Sequence, residues 1–117
     1  MKTCNLNYLK SISPESNNLI INIITLFLNN TPQSILIIKD AIAISDWDTI
    51  QKFTHKIKPS LSILGLKKEI VDTFLKINEL SKGKKNLEEI NSLFDFFETE
   101  IEKVYLELHY ELTKLTI

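Results

Sequence analysis

Punctuation is what this chain has least of. Two glycines and three prolines in 117 residues leave few places for the tight turns that join short strands, which favours a small number of long helices. The single cysteine, Cys4, excludes an internal disulfide and suits a reducing cytoplasm. Two histidines and that cysteine lie far apart and provide no metal-ligand spacing. No glycine-rich turn presents a serine nucleophile and no loop cradles phosphate, so no ATP-binding motif is recognisable and autophosphorylation is not expected. A one-sided charge is missing too. Fourteen basic against 15 acidic residues give a net charge of −1, which builds no field to attract nucleic acid. The longest apolar stretch, Leu19 to Leu28, is interrupted by Asn22 and Thr25 and is too short to span a bilayer. The first residues lack the basic region, apolar core and small-residue cleavage site of a secretion signal. The expectation is a soluble cytoplasmic domain that binds neither nucleic acid nor a membrane.

What is present is helical periodicity. Hydrophobic residues make up 44% of the chain and charged residues 25%, so residues 1–117 are expected to fold as one domain with a real core. Leu6 to Ile12 reads as a short N-terminal helix or turn. Ser13 before Pro14 is an N-cap candidate with proline at the first helical position, opening a helix to about Asn29. Thr31-Pro32 repeats that logic and opens a further helix ending near Ile44. Ser45 or Asp46 caps the next helix, with Asp48 in its first turn, and Gly65 marks the end of that helix or a kink before the following one. Leu66, Ile70, Phe74 and Ile77 keep helical spacing to about Ser81. Lys82-Gly83-Lys84-Lys85 is the clearest loop, with the glycine placed to follow a helix end. The last helix runs from Asn86 to about Lys114, long enough for its end to project. The fold class expected is all-α: an antiparallel up-and-down four-helix bundle with a short additional N-terminal helix.

One histidine stands out. In the run Phe53-Thr54-His55-Lys56-Ile57-Lys58-Pro59-Ser60-Leu61-Ser62-Ile63-Leu64-Gly65-Leu66, Ile50, Thr54, Ile57, Leu61 and Leu64 gather on one side of a helix. Gln51, Lys52, His55, Lys58 and Ser62 gather on another. A histidine there faces solvent, beside a lysine one turn later. That position suits meeting another protein better than packing. His109, on the last helix among Leu108, Tyr110 and Leu112, has no comparable setting.

The run resembles the signature of histidine phosphotransfer (HPt) domains, the relay modules of multistep two-component signalling, whose pattern is roughly A-H-x-L-K-G-S-(x)4-G. His55 takes the acceptor position, Ile57 the apolar position, Lys58 plus three, Ser60 plus five and Gly65 plus ten, with Leu64 before the glycine. Thr54 stands where alanine is usual and Pro59 where glycine is usual. Phe27 with Thr31-Pro32, and Ala41 with Ser45-Asp46-Trp47, fall at spacings typical of the two helices before the histidine.

The resemblance implies a phosphocarrier, not an enzyme, that accepts a phosphoryl group on His55 from a receiver-domain aspartate and passes it to another. Its partners would be response-regulator receiver domains and a hybrid sensor kinase. The magnesium would belong to the receiver, and the chain would need no cofactor or metal of its own. Lys58 would stabilise the phosphoryl group. Gln51, Lys52, Pro59 and Ser62 would line the docking face, and the chain would act as a monomer. A polar side chain on the following helix commonly steadies the site in this family. Strict counting falls on Ile77, and aligning the apolar set Ile70 and Ile77 shifts the register by one to Asn78, with Lys82 one turn later to add positive charge.

Two other readings stay open. A kinase dimerisation and phosphoacceptor domain would want an acid directly after the histidine, where this chain has Lys56, and its proline would fall one position later than Pro59. A non-signalling helical scaffold would make His55 dispensable.

Overall fold

The computed structural model describes residues 2–116, which form five α-helices and, among the described residues, no strand. Helix α1 spans Asn7–Ile12, α2 Asn18–Ala43, α3 Trp47–Ile63, α4 Lys68–Lys82 and α5 Leu87–Leu115. The all-helical expectation holds. Helices α2 and α4 each pack against both α3 and α5, and α1 lies against α2. Each long helix buries residues three and four apart: Ile50, Thr54, Ile57 and Leu61 on α3, and Ile70, Phe74, Ile77 and Ser81 on α4. On α5 the buried series is Ile90, Phe94, Phe97, Ile101, Val104 and Leu108. That is the stripe of an amphipathic helix facing a shared core. Phe74 meets Phe97 with ring centroids 4.7 Å apart, tying α4 to α5.

Helix α2 corrects the expected boundaries. The two helices anticipated from Pro14 to Asn29 and from Thr31 to Ile44 are one 26-residue helix with Pro32 inside it. Proline lacks the N–H that would bond the Leu28 carbonyl, at a cost of ~3 kcal/mol. Across that point Ile20, Ile24 and Phe27 pass without a break in phase to Thr31, Ile35 and Ile38, all buried. Full burial of each large apolar side chain contributes about 1.5–3 kcal/mol, so packing outweighs the local penalty. Its start moves as well. Residues 13–17 are non-helical, Asn17 is the N-cap, and Ser16 Oγ accepts the Asn18 N–H at 3.1 Å. As one element α2 is long and apolar enough to cross a membrane by length and composition, a property hidden by reading the run Leu19 to Leu28 alone. Here its apolar stripe lies against α3 and α5.

The turns show where the backbone is left-handed. Ser45, at φ 55°, follows α2, and the Asp46 N–H closes back to the Ala41 carbonyl at 2.9 Å. Gly65, at φ 60°, follows α3. Its N–H bonds the Ser62 carbonyl at 3.0 Å and the Leu66 N–H bonds the Leu61 carbonyl at 3.0 Å, a Schellman closure with Leu61 and Leu66 both buried. In the lysine-rich loop the glycine is not the left-handed residue. Gly83 is the C-cap at φ −78°, while Lys84 and Asn86 have φ 52° and 65°.

The far end of α5 does not project bare. Residues 2–9 cover it, with Thr3, Cys4, Leu6 and Leu9 buried. Glu107 fastens this segment. Its Oε1 accepts the Lys2 and Thr3 N–H groups at 2.6 and 2.9 Å, and its Oε2 accepts the Thr3 hydroxyl. The same segment reaches the α3–α4 turn, where the Asn5 N–H bonds the Leu64 carbonyl at 3.2 Å and the Lys67 N–H bonds the Thr3 carbonyl at 2.8 Å. Burial pushes the Glu107 carboxyl up, but the hydrogen bonds from Thr3 and Lys2 outweigh it and hold the group below the usual carboxylate range. A depressed carboxylate stabilises the fold above its unfolded value, and that stability is lost as pH falls through the folded value. Glu107→Gln is expected to lower stability by about 1 kcal/mol at neutral pH. The deficit relative to wild type should shrink on acidification. Urea melts from about pH 7 to about pH 3 would check both, and a deficit independent of pH would contradict them.

Candidate functional site

Asp46 starts the helix that carries the candidate site. Its Oδ1 accepts the Thr49 N–H at 3.2 Å and its Oδ2 accepts the Thr49 hydroxyl at 2.6 Å, a side-chain N-cap. The hydroxyl and then the backbone bond hold its carboxyl below the usual range. Of the two cap candidates, Asp46 performs the role and Ser45 closes the helix before.

With the helix phase fixed by Ile50, Thr54, Ile57 and Leu61 in the core, His55 lies on the solvent face. Lys52, Lys56, Lys58, Pro59 and Ser62 are exposed with it, and Gln51 is half-buried. No acidic residue occurs between Gln51 and Ser62, so this face of α3 is basic. The lysines are not equivalent. The Lys52 and Lys56 ammonium groups lie 5.9 and 5.4 Å from the Phe53 ring centroid. Lys58 makes no ion pair among the described residues. Pro59 lies inside α3 rather than ending it, so the helix continues through the position at which the His55 carbonyl loses its donor.

Asn78 is placed beside the site but spoken for. Its Nδ2 donates to Thr54 Oγ1 at 2.6 Å and approaches the Gln51 carbonyl at 3.4 Å. The Thr54 hydroxyl donates to the Ile50 carbonyl at 2.7 Å. Gln51, expected at a docking face, uses Nε2 to bond the Ser81 carbonyl at 3.1 Å, and Ser81 Oγ donates to the Asn78 carbonyl at 2.6 Å. Lys82 is exposed and pairs with Glu79 at 3.4 Å. Thr54 and Ser81 went unread in the sequence as part of this arrangement. The available signal was a hydroxyl at a core-facing position in each of two helices that pack together.

Beside the basic face, between α2 and α3, runs a groove of about 320 Å³ lined by Ile23, Leu26, Phe27, Lys56, Ser60 and Ile63 among others. Leu26 is 60% exposed there. His109 is exposed on α5, and its carbonyl accepts the Thr113 hydroxyl at 3.0 Å. Among the described residues no group of three or more His, Cys, Asp or Glu side chains converges where a metal ion could be held. Burial pushes the Cys4 thiol up to about 11, away from thiolate chemistry at neutral pH. Compared with known proteins, the chain matches no family model, no curated sequence and no solved structure.

Proposed function

We propose that this chain is a phosphorelay intermediate of the HPt type, built as an up-and-down four-helix bundle with a short helix preceding it, in which His55 is the phosphoacceptor. The observation that carries the reading is an exposed histidine on a basic, acid-free helix face with a lysine one turn away. A ring nitrogen would attack the phosphorus of a receiver's aspartyl phosphate. The P–N bond forms as the P–O bond to the aspartyl carboxylate breaks, the freed carboxylate stays on the receiver, and the ring proton passes to water. The ring is presented on the exposed face of α3, so a docking receiver reaches the nucleophile without opening the core.

Such transfer asks mainly for alignment and charge stabilisation. Receiver and magnesium would supply the aspartate and the metal charge. The basic face of α3 complements an acidic partner surface, and the apolar groove alongside gives it something to bury. Cytoplasmic location, action as a monomer, and a hybrid sensor kinase upstream belong to the same proposal.

The test is incubation with a phosphorylated receiver domain, following phosphate that is acid-labile and base-stable on this chain. Its absence with every active receiver tried would leave the scaffold reading. Lys58 carries a smaller prediction. Its β-carbon lies about 5–6 Å from that of His55 by helical spacing, within reach of a phosphoryl oxygen. Lys58→Ala should slow transfer about tenfold, the equivalent of ~1.4 kcal/mol in the transition state, with the largest deficit at low salt. Unchanged rates at low salt would return Lys58 to a solvated surface role.

A further inference from the structure

Two features of α3 meet at His55 from opposite directions. Downstream, Pro59 has no N–H to offer the His55 carbonyl, and its ring crowds that same oxygen. Upstream, the His55 N–H points in the helical pattern at the Gln51 carbonyl, and that carbonyl is the one Asn78 Nδ2 approaches at 3.4 Å. The Thr54 hydroxyl oxygen lies 3.2 Å from the same carbonyl. The turn after the histidine is therefore loosened, and the turn before it is tied to another helix.

The tie has a defined polarity. A hydroxyl carries one hydrogen, and that of Thr54 goes to the Ile50 carbonyl at 2.7 Å. Thr54 Oγ1 must therefore accept from Asn78, which fixes the amide with Nδ2 turned in at 2.6 Å. Thr54 is 1% exposed and Ser81 0%, so these bonds are shielded from competing water. The Gln51 side chain adds a second strut to the Ser81 carbonyl, and Ser81 Oγ closes back on Asn78.

We infer that the Thr54–Asn78 bridge is the brace that holds His55 where Pro59 has weakened its helix, making Thr54 and Asn78 positioning residues for the histidine. Neither need touch the reacting group. Both set the turn from which it is displayed, and register the histidine on α4 instead of on the continuity of α3. The link to phosphoryl transfer rests on the phosphoacceptor reading; the brace itself does not.

A double-mutant cycle tests it with four proteins: wild type, Thr54→Val, Pro59→Ala and the double variant. Valine removes the hydroxyl at nearly constant volume, and alanine restores the missing N–H. The first readout is hydrogen exchange of the His55 amide by NMR, with the Ile101 amide on α5 as reference for global opening. Thr54→Val should speed His55 exchange about tenfold when Pro59 is present, and by less than about twofold in the Pro59→Ala background, with Ile101 unaffected. Thr54→Ser should restore the wild-type rate. The second readout is labelling of His55 by phosphoramidate, which should show the same background dependence. Equal acceleration in both backgrounds, or none in either, would overturn the brace. The expected exchange pattern with no phosphohistidine in any variant would leave the brace standing and remove the phosphoacceptor reading.

Discussion

Replacing Gly65 with alanine is expected to cost the fold about 3–5 kcal/mol, a large part of the ~5–15 kcal/mol that holds a typical domain folded. Two separate penalties add. At φ 60° an L-residue occupies the left-handed region, which costs roughly 1–2 kcal/mol. An added β-carbon would also lie 2.2 Å from the Asn5 carbonyl oxygen, a distance that forces the N-terminal segment to move. Moving it strains the bonds from the Asn5 N–H to the Leu64 carbonyl and from the Lys67 N–H to the Thr3 carbonyl, each contributing about 0.5–1.5 kcal/mol. Gly65→Asn separates the two penalties, because asparagine tolerates the left-handed region but still carries a β-carbon. It should recover only the backbone part. Urea melts of the two variants give the answer. If alanine costs less than about 1 kcal/mol, residues 3–5 do not cross this turn in solution as they do here.

The same glycine shows how a motif position can be legible while its cause is not. The spacing from His55 to Gly65 marks a helix end, and α3 ends at Ile63, two residues before it. Nothing local to that spacing reveals that residues 3–5 pass over the turn, because the contact is between segments some sixty positions apart. The prolines show how periodicity is best used. Pro59 reads as internal to its helix because the apolar series continues through Leu61 and Leu64. Applied to Pro32, the same reasoning joins Phe27, Thr31, Ile35 and Ile38 into one face, yet the local cap pattern Thr31-Pro32 suggests a break. Packing prevails over capping in α2. At the site, amphipathic phase alone puts His55, Lys58 and Ser62 outside and Thr54 inside. The partner of Thr54 could not be read that way. Asn78 follows from the register between α3 and α4, a property of two helices packed together, and it serves the backbone ahead of His55.

His55→Gln is expected to reduce acid-labile phosphate on the chain to background while leaving the melting curve in place. Glutamine keeps a polar, helix-compatible side chain of similar reach but has no ring nitrogen lone pair to attack phosphorus. The histidine is exposed, so its loss should move stability by no more than about 0.5 kcal/mol. A large functional loss with no structural loss is the signature of a reacting group, because a packing role would move both. His109→Gln is the matched control. That residue is also exposed, on α5, between Leu108 in the core and Tyr110 outside, and its replacement should leave labelling intact. The lability of the bond adds a further discrimination. Phosphate on a histidine nitrogen survives base and is lost in acid, whereas an acyl phosphate carried over on the receiver is lost in base. Label that persists in His55→Gln and vanishes in His109→Gln would move the acceptor to α5. Label that persists in both would mean that neither imidazole is the acceptor, and the basic face of α3 would need another purpose.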